Sequence, residues 1–66
     1  MHVTINGKQE TIEHGLTVEG YLESAGLAGA PCAVEINKNL VPKRDHASTT
    51  INDGDSIEIV TLVGGG

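Results

Sequence analysis

Polar and apolar residues alternate from His2 to Ile5, Asn6-Gly7 supplies a favoured hairpin turn, and Gln9-Glu10-Thr11-Ile12-Glu13 returns. An N-terminal hairpin is predicted. Its second strand has little apolar weight beyond Ile12, which suits a sheet edge. Thr17 then offers an N-cap, and Val18, Tyr21, Leu22 and Ala25 follow at the i, i+3, i+4, i+7 spacing of one buried helical stripe. Gly26 stops that helix. Leu16 and Tyr21 stand where a hydrophobic staple would, Leu27 where a residue folds back after a glycine C-cap, and Glu19 and Glu23 on the wet side. Gly20 inside the helix costs up to about 1 kcal/mol relative to Ala.

Beyond the breaker Ala28-Gly29-Ala30-Pro31, Cys32, Val34 and Ile36 alternate with Ala33, Glu35 and Asn37, the period of a half-buried strand. Asn37-Lys38-Asn39 turns the chain into a short Leu40-Val41 strand ended by Pro42, which has no backbone donor and fits an edge. Lys43 to Ser48 is polar, with room for one helical turn. Asp53-Gly54-Asp55 makes another turn, and Ser56 to Val63 is the longest β-branched stretch, predicted to be central in the sheet. Its apolar parity changes from Ile57 and Ile59 to Val60 and Leu62. Either a bulge lies there or those two side chains turn away from the core. The expected core is Val3, Ile5, Val18, Leu22, Val34, Ile36, Ile57 and Ile59, within an α+β fold of four or five strands in a mixed sheet on one helix.

Sixty-six residues make one small domain that buries only about 60 % of its unfolded surface, too little for a roomy active site of its own. With no Phe or Trp, the core must use Val, Ile, Leu and Ala around Tyr21. A lone Cys32 makes no intrachain disulfide, and neither a signal segment nor a membrane span is evident, so a reducing cytoplasm is the expected location. Nine acidic against four basic residues give a net charge of -5, which disfavours nucleic acid as a partner and favours basic protein surfaces, although plain solubility explains acidity equally.

The sequence closes on Val63-Gly64-Gly65-Gly66. Three glycines form a thin segment that reaches roughly 10 Å when extended and admits close backbone approach. Residues 1–63 are therefore read as the domain and 64–66 as a flexible tail. Two readings of that tail stand side by side: a finger that threads into another protein's active site with the Gly66 carboxylate as reactant, or a frayed terminus.

The succession of hairpin, helix, two strands, final strand and glycine tail resembles a ubiquitin-like β-grasp domain. Ala33-Val34-Glu35-Ile36-Asn37, Leu40-Val41-Pro42-Lys43, Asn52-Asp53-Gly54-Asp55-Ser56-Ile57-Glu58-Ile59 and Val63-Gly64-Gly65-Gly66 narrow the resemblance to the ThiS family of thiamine-pathway sulfur carriers. What the resemblance implies is a protein substrate rather than an enzyme. An ATP-using, ThiF-like activating enzyme would adenylate the Gly66 carboxylate, and a sulfur donor such as a cysteine desulfurase would supply the sulfur that displaces AMP. The thiocarboxylate would then serve a ThiG-like thiazole synthase. The resemblance also implies that the carrier would bind no cofactor, ATP being consumed by the activating enzyme, and would be a monomer when free. Gly64 and Gly65 would serve access to the partner, and Val60 and Leu62 either dock on it or pack in the core.

Simple chemistry agrees with the need for activation. An α-carboxylate with a pKa of about 3.5 is ionised in cells and is a poor electrophile, and adenylation splits one hard substitution into two easier ones. Two rivals belong to other classes: a ubiquitin-like modifier joined through Gly66 to lysines, and a non-covalent module that recruits a partner through an exposed strand. A carrier for molybdopterin synthesis is a further alternative. His2, His14 and His46 are too scattered for a zinc site and are expected at the surface. Cys32 is expected to be an inert, partly buried thiol, and Lys43-Arg44 solvated charge.

Overall fold

The computed structural model describes residues 1–62. Chain order runs β1 (His2–Ile5), β2 (Lys8–Thr11), α1 (Val18–Ser24), β3 (Cys32–Ile36), β4 (Asn39–Val41), a 3-10 turn (Lys43–Asp45) and β5 (Ser56–Thr61). The strands form one five-stranded sheet in the order β2-β1-β5-β3-β4. Both predicted edges are edges, and the β-branched β5 is the centre. Asn6 and Gly7 take positive φ angles of 51 and 81°, as the mirror-image turn of a two-residue hairpin demands. Asn37 and Lys38 do the same between β3 and β4, at 51 and 71°.

β1 and β5 pair in parallel, through Thr4 N donating to the Asp55 carbonyl and Asn6 N to that of Ile57, both at 2.9 Å. β1 is then exhausted. The Asn6 side chain extends the ladder by one rung, its Nδ2 donating to the Ile59 carbonyl at 3.2 Å and its Oδ1 accepting from Ile59 N at 2.8 Å. The Asn52-to-Asp55 turn ties this centre to its surroundings. Asp53 Oδ1 accepts from His2 N at 2.7 Å, and Asp55 accepts from Asn52 N at 2.8 Å and from Asn37 Nδ2 at 3.0 Å. These acids are thus hydrogen-bonded within the turn and to its neighbours.

Every donor in the first turn of α1 has a named acceptor, which is what a helix start needs when it is packed against a loop. Val18 N donates to the Thr49 carbonyl at 2.9 Å, Glu19 N to that of His46 at 3.0 Å, and Gly20 N to Thr17 Oγ1 at 3.0 Å. The other end closes through Gly26, at φ 77°, with Leu27 N donating to the Leu22 carbonyl at 2.7 Å and Gly26 N to that of Glu23 at 3.1 Å. Ala25 is the exposed C-cap rather than part of the buried stripe, because the chain leaves the helix there. Gly20 also has a packing reason. A Cβ there would stand 2.9 Å from Leu16 Cδ1, so the leucine before the cap lies over the glycine. Replacing Thr17 by Ala is expected to cost about 1 kcal/mol and lower the thermal midpoint by roughly 4–8 °C. Thr17→Ser should retain the wild-type midpoint in the same calorimetric scan.

The core contains Val3, Ile5, Val18, Leu22, Val34, Ile51 and Ile57, all buried. Ile36 and Ile59, expected in the core, are half-buried and pack against it. Ile51 takes up that interior instead, held by Ile51 N donating to the Leu16 carbonyl at 2.9 Å beside the Thr17–Thr50 bridge. His46 corrects the expectation of a surface residue: it is 7 % exposed, whereas His2 and His14 are exposed as expected. Its Nε2 lies 3.1 Å from the Val41 carbonyl. A carbonyl only accepts, so Nε2 carries the proton. With its own carbonyl on the helix start, His46 joins β4 to α1.

Candidate functional site

β5 keeps its register against β3 from Ile36↔Ile57 to Cys32↔Thr61, with one residue opposite one residue throughout. A bulge is therefore absent from this stretch, and the parity change is a change of face. Ile57 points into the core, while Val60 is 57 % and Leu62 54 % exposed on the opposite side. Of the two sequence readings for this pair, turning away from the core is the one observed.

Leu40 joins them, 65 % exposed on β4. It sits opposite Glu35 in the β3–β4 pairing, as Glu58 does in the β3–β5 pairing, so Leu40, Glu35 and Glu58 make one row across three strands. The next row is Ala33 and Val60. This assembles an open sheet face of exposed apolar side chains around two acids. Leu40 was legible in principle, because in a three-residue strand with two adjacent apolar residues only one can face the core. Scattered exposed leucines are ordinary; grouped ones mark interaction surfaces.

Gly64, Gly65 and Gly66, read from sequence as the flexible tail and the reactive terminus, lie outside the described residues, as does Val63. Leu62 is the last described residue, one position before Val63 and two before the glycine run. Its N–H donates to the Pro31 carbonyl at 2.8 Å, one bond beyond the Cys32–Thr61 pair.

The remaining candidates gather elsewhere. Cys32 is half-buried, and its Sγ lies 3.3 Å from the Ala30 carbonyl it faces. It shares a cleft of about 310 Å³ with Leu22, Leu27, Lys43 and His46, on the helix side of the sheet. Arg44 is exposed. Tyr21 donates to Glu10 Oε1 at 3.3 Å, and burial first, then the Glu10 charge and this hydrogen bond, push its hydroxyl above the usual tyrosine pKa. Among the described residues no cluster of three His, Cys, Asp or Glu side chains is placed to hold a metal, and no helix is long and apolar enough to cross a membrane.

The chain is similar to known proteins along its whole length. A thiazole synthase of Paramagnetospirillum magneticum is 41 % identical over all of this chain, which spans only 20 % of that protein's length. The sulfur carrier protein ThiS of Escherichia coli is 30 % identical, with both chains covered completely. The crystal structure of a thiamine biosynthesis protein (ThiS) from Geobacter metallireducens superposes with a TM-score of 0.85 at 33 % identity, again over the whole of both chains. The overall fold thus recurs in a protein of the same length class, and the ThiS family model matches residues 3–66, glycine run included. A β-grasp sheet of this order, ending in that sequence and matched from Val3 to Gly66, makes this chain a member of the ThiS family.

Proposed function

We propose that this chain is a sulfur carrier for thiamine biosynthesis, a protein substrate whose Gly66 carboxylate is the reacting group. The observation that carries the reading is the position of Val60 on β5 and Leu62 just after it, both exposed and only a few residues before the glycine run of a ThiS-family sequence. From Leu62 to Gly66 the chain can extend up to about 14 Å. An activating enzyme that grips the apolar residues has the terminus within reach of its ATP. In the first step a Gly66 carboxylate oxygen attacks the α-phosphorus of ATP, and pyrophosphate leaves with the electrons of the broken P–O bond. A sulfide equivalent from the sulfur donor then attacks the acyl carbon and expels AMP. The product is a thiocarboxylate, which a thiazole synthase consumes.

The similarity to thiazole synthases that contain a region like this chain supports that last partner. In this reading the chain brings no catalytic group of its own, binds no cofactor and works in the cytoplasm. It requires a free carboxylate on Gly66. The test is ATP–pyrophosphate exchange with the cognate activating enzyme, followed by intact mass after a sulfur source is added. Replacement of one oxygen by sulfur at the terminus is the expected product, whereas adducts on lysines of other proteins would make the chain a modifier.

Docking through β5 has its own consequence. Leu62→Ala should lower kcat/KM for adenylation by roughly tenfold to a hundredfold, since burying a leucine contributes about 1.5–3 kcal/mol. Thermal stability should change by no more than about 0.5 kcal/mol, as for other exposed positions. Equal losses of stability and activity would return Leu62 to a purely structural role.

A further inference from the structure

Glu35 and Glu58 are directly opposite each other on β3 and β5, and both are exposed on the open face. Their rung is a hydrogen-bonded one. Leu62 N bonds to the Pro31 carbonyl, and Ile59, of opposite parity, bonds toward β1 through Asn6, so the even-numbered residues of β5 direct their N–H and C=O groups at β3. Opposed residues in such a rung have Cα atoms about 5.5 Å apart, and like charges in that position destabilise a sheet. Lys38 lines a groove with Glu58, Ser56 and Asn37, so one cation stands near two carboxylates. The pair is flanked by Leu40 across β3 and by Val60 one rung along.

We propose that this face receives a cationic side chain, an arginine by preference, set in an apolar surface of the activating enzyme. The proposal rests on the sulfur-carrier reading for the identity of that partner. Two carboxylates on neighbouring strands match the several N–H donors of one planar guanidinium, which a point-like ammonium does not match as well. The aliphatic stem of the same residue would lie along Val60 or Leu40. A second copy of this chain fits poorly, because an isologous contact centred on the face would bring four carboxylates together. The overall charge of -5 points the same way, toward a basic partner.

The experiment is titration calorimetry of the full chain with its activating enzyme at low and at high salt. Wild type is compared with Glu35→Gln/Glu58→Gln and with Glu19→Gln/Glu23→Gln, which removes the same charge from exposed positions on α1. The sheet double variant should bind at least about thirtyfold more weakly, lose most of the salt dependence and keep or raise the thermal midpoint. The helix double variant should bind as wild type does. Equal weakening by both variants would reduce the effect to net charge and overturn the inference; so would unchanged binding by the sheet variant, or no association of the wild type with the enzyme. Adenylation is read separately by pyrophosphate exchange. Tight, Glu35- and Glu58-dependent association without adenylation would sink the sulfur-carrier reading while leaving the cation-binding face in place.

Discussion

Deleting Gly66 is expected to reduce adenylation by at least about 100-fold, and to abolish thiocarboxylate formation at any practical enzyme concentration, because the new terminus falls about 3.5 Å short of its ATP. A misplacement of even about 1 Å at a reacting centre can cost a factor of about 100. A hundredfold loss corresponds to about 2.7 kcal/mol of transition-state stabilisation. The fold should be untouched, since every core residue lies between Val3 and Ile57. Gly65→Ala should have a smaller effect in the same direction. Its Cβ widens the segment where a narrow channel grips it and restricts the backbone, without removing the nucleophile. The measurement is ATP–pyrophosphate exchange, with intact mass for the sulfur-bearing product and a thermal scan for folding. Full exchange and full thiocarboxylate formation by the deletion variant would end the assignment of Gly66 as the reacting residue.

The elements were legible wherever local chemistry and tertiary packing ask for the same residues. Asn6-Gly7 can make its hairpin turn without help from the rest of the chain, Thr17 caps its own helix, and Gly26 ends it, so their signals survive in sequence. The weak apolar weight of β2 and the Pro42 after β4 likewise marked the two edges correctly. What was not legible depends on contacts between distant segments. Ile51 sits outside any strand or helix, with no periodicity around it to announce burial, and it is inside because its backbone pairs with Leu16. His46 is buried for a related reason, since its carbonyl caps α1 and its ring bridges to β4. The open apolar face was half legible. The parity change flagged Val60 and Leu62 but left two explanations, and only the unbroken β3–β5 register separates them. Leu40, Glu35 and Glu58 become one row only once three strands are in register, which no single segment encodes.

Ile51→Ala should be among the most damaging single substitutions in this chain, with an expected loss of about 2–5 kcal/mol. The side chain is 2 % exposed and belongs to the same cluster as Val18 and Ile57. Removing it leaves a void beneath the start of α1, next to the carbonyls of His46 and Thr49 that cap the helix. A domain of this size has only roughly 3–10 kcal/mol of total stability to lose. The thermal midpoint should therefore fall by about 10–30 °C, and the variant should be partly unfolded near physiological temperature. Val60→Ala, which removes methyl groups from a residue 57 % exposed, is the matched control and should stay within about 0.5 kcal/mol of wild type. Urea titrations of both variants, read by far-ultraviolet circular dichroism, make the comparison directly. If Ile51→Ala unfolds at the same urea concentration as Val60→Ala, Ile51 does not close the core, and the 46–51 segment packs more loosely than its hydrogen bonds to Leu16, Val18 and Glu19 indicate.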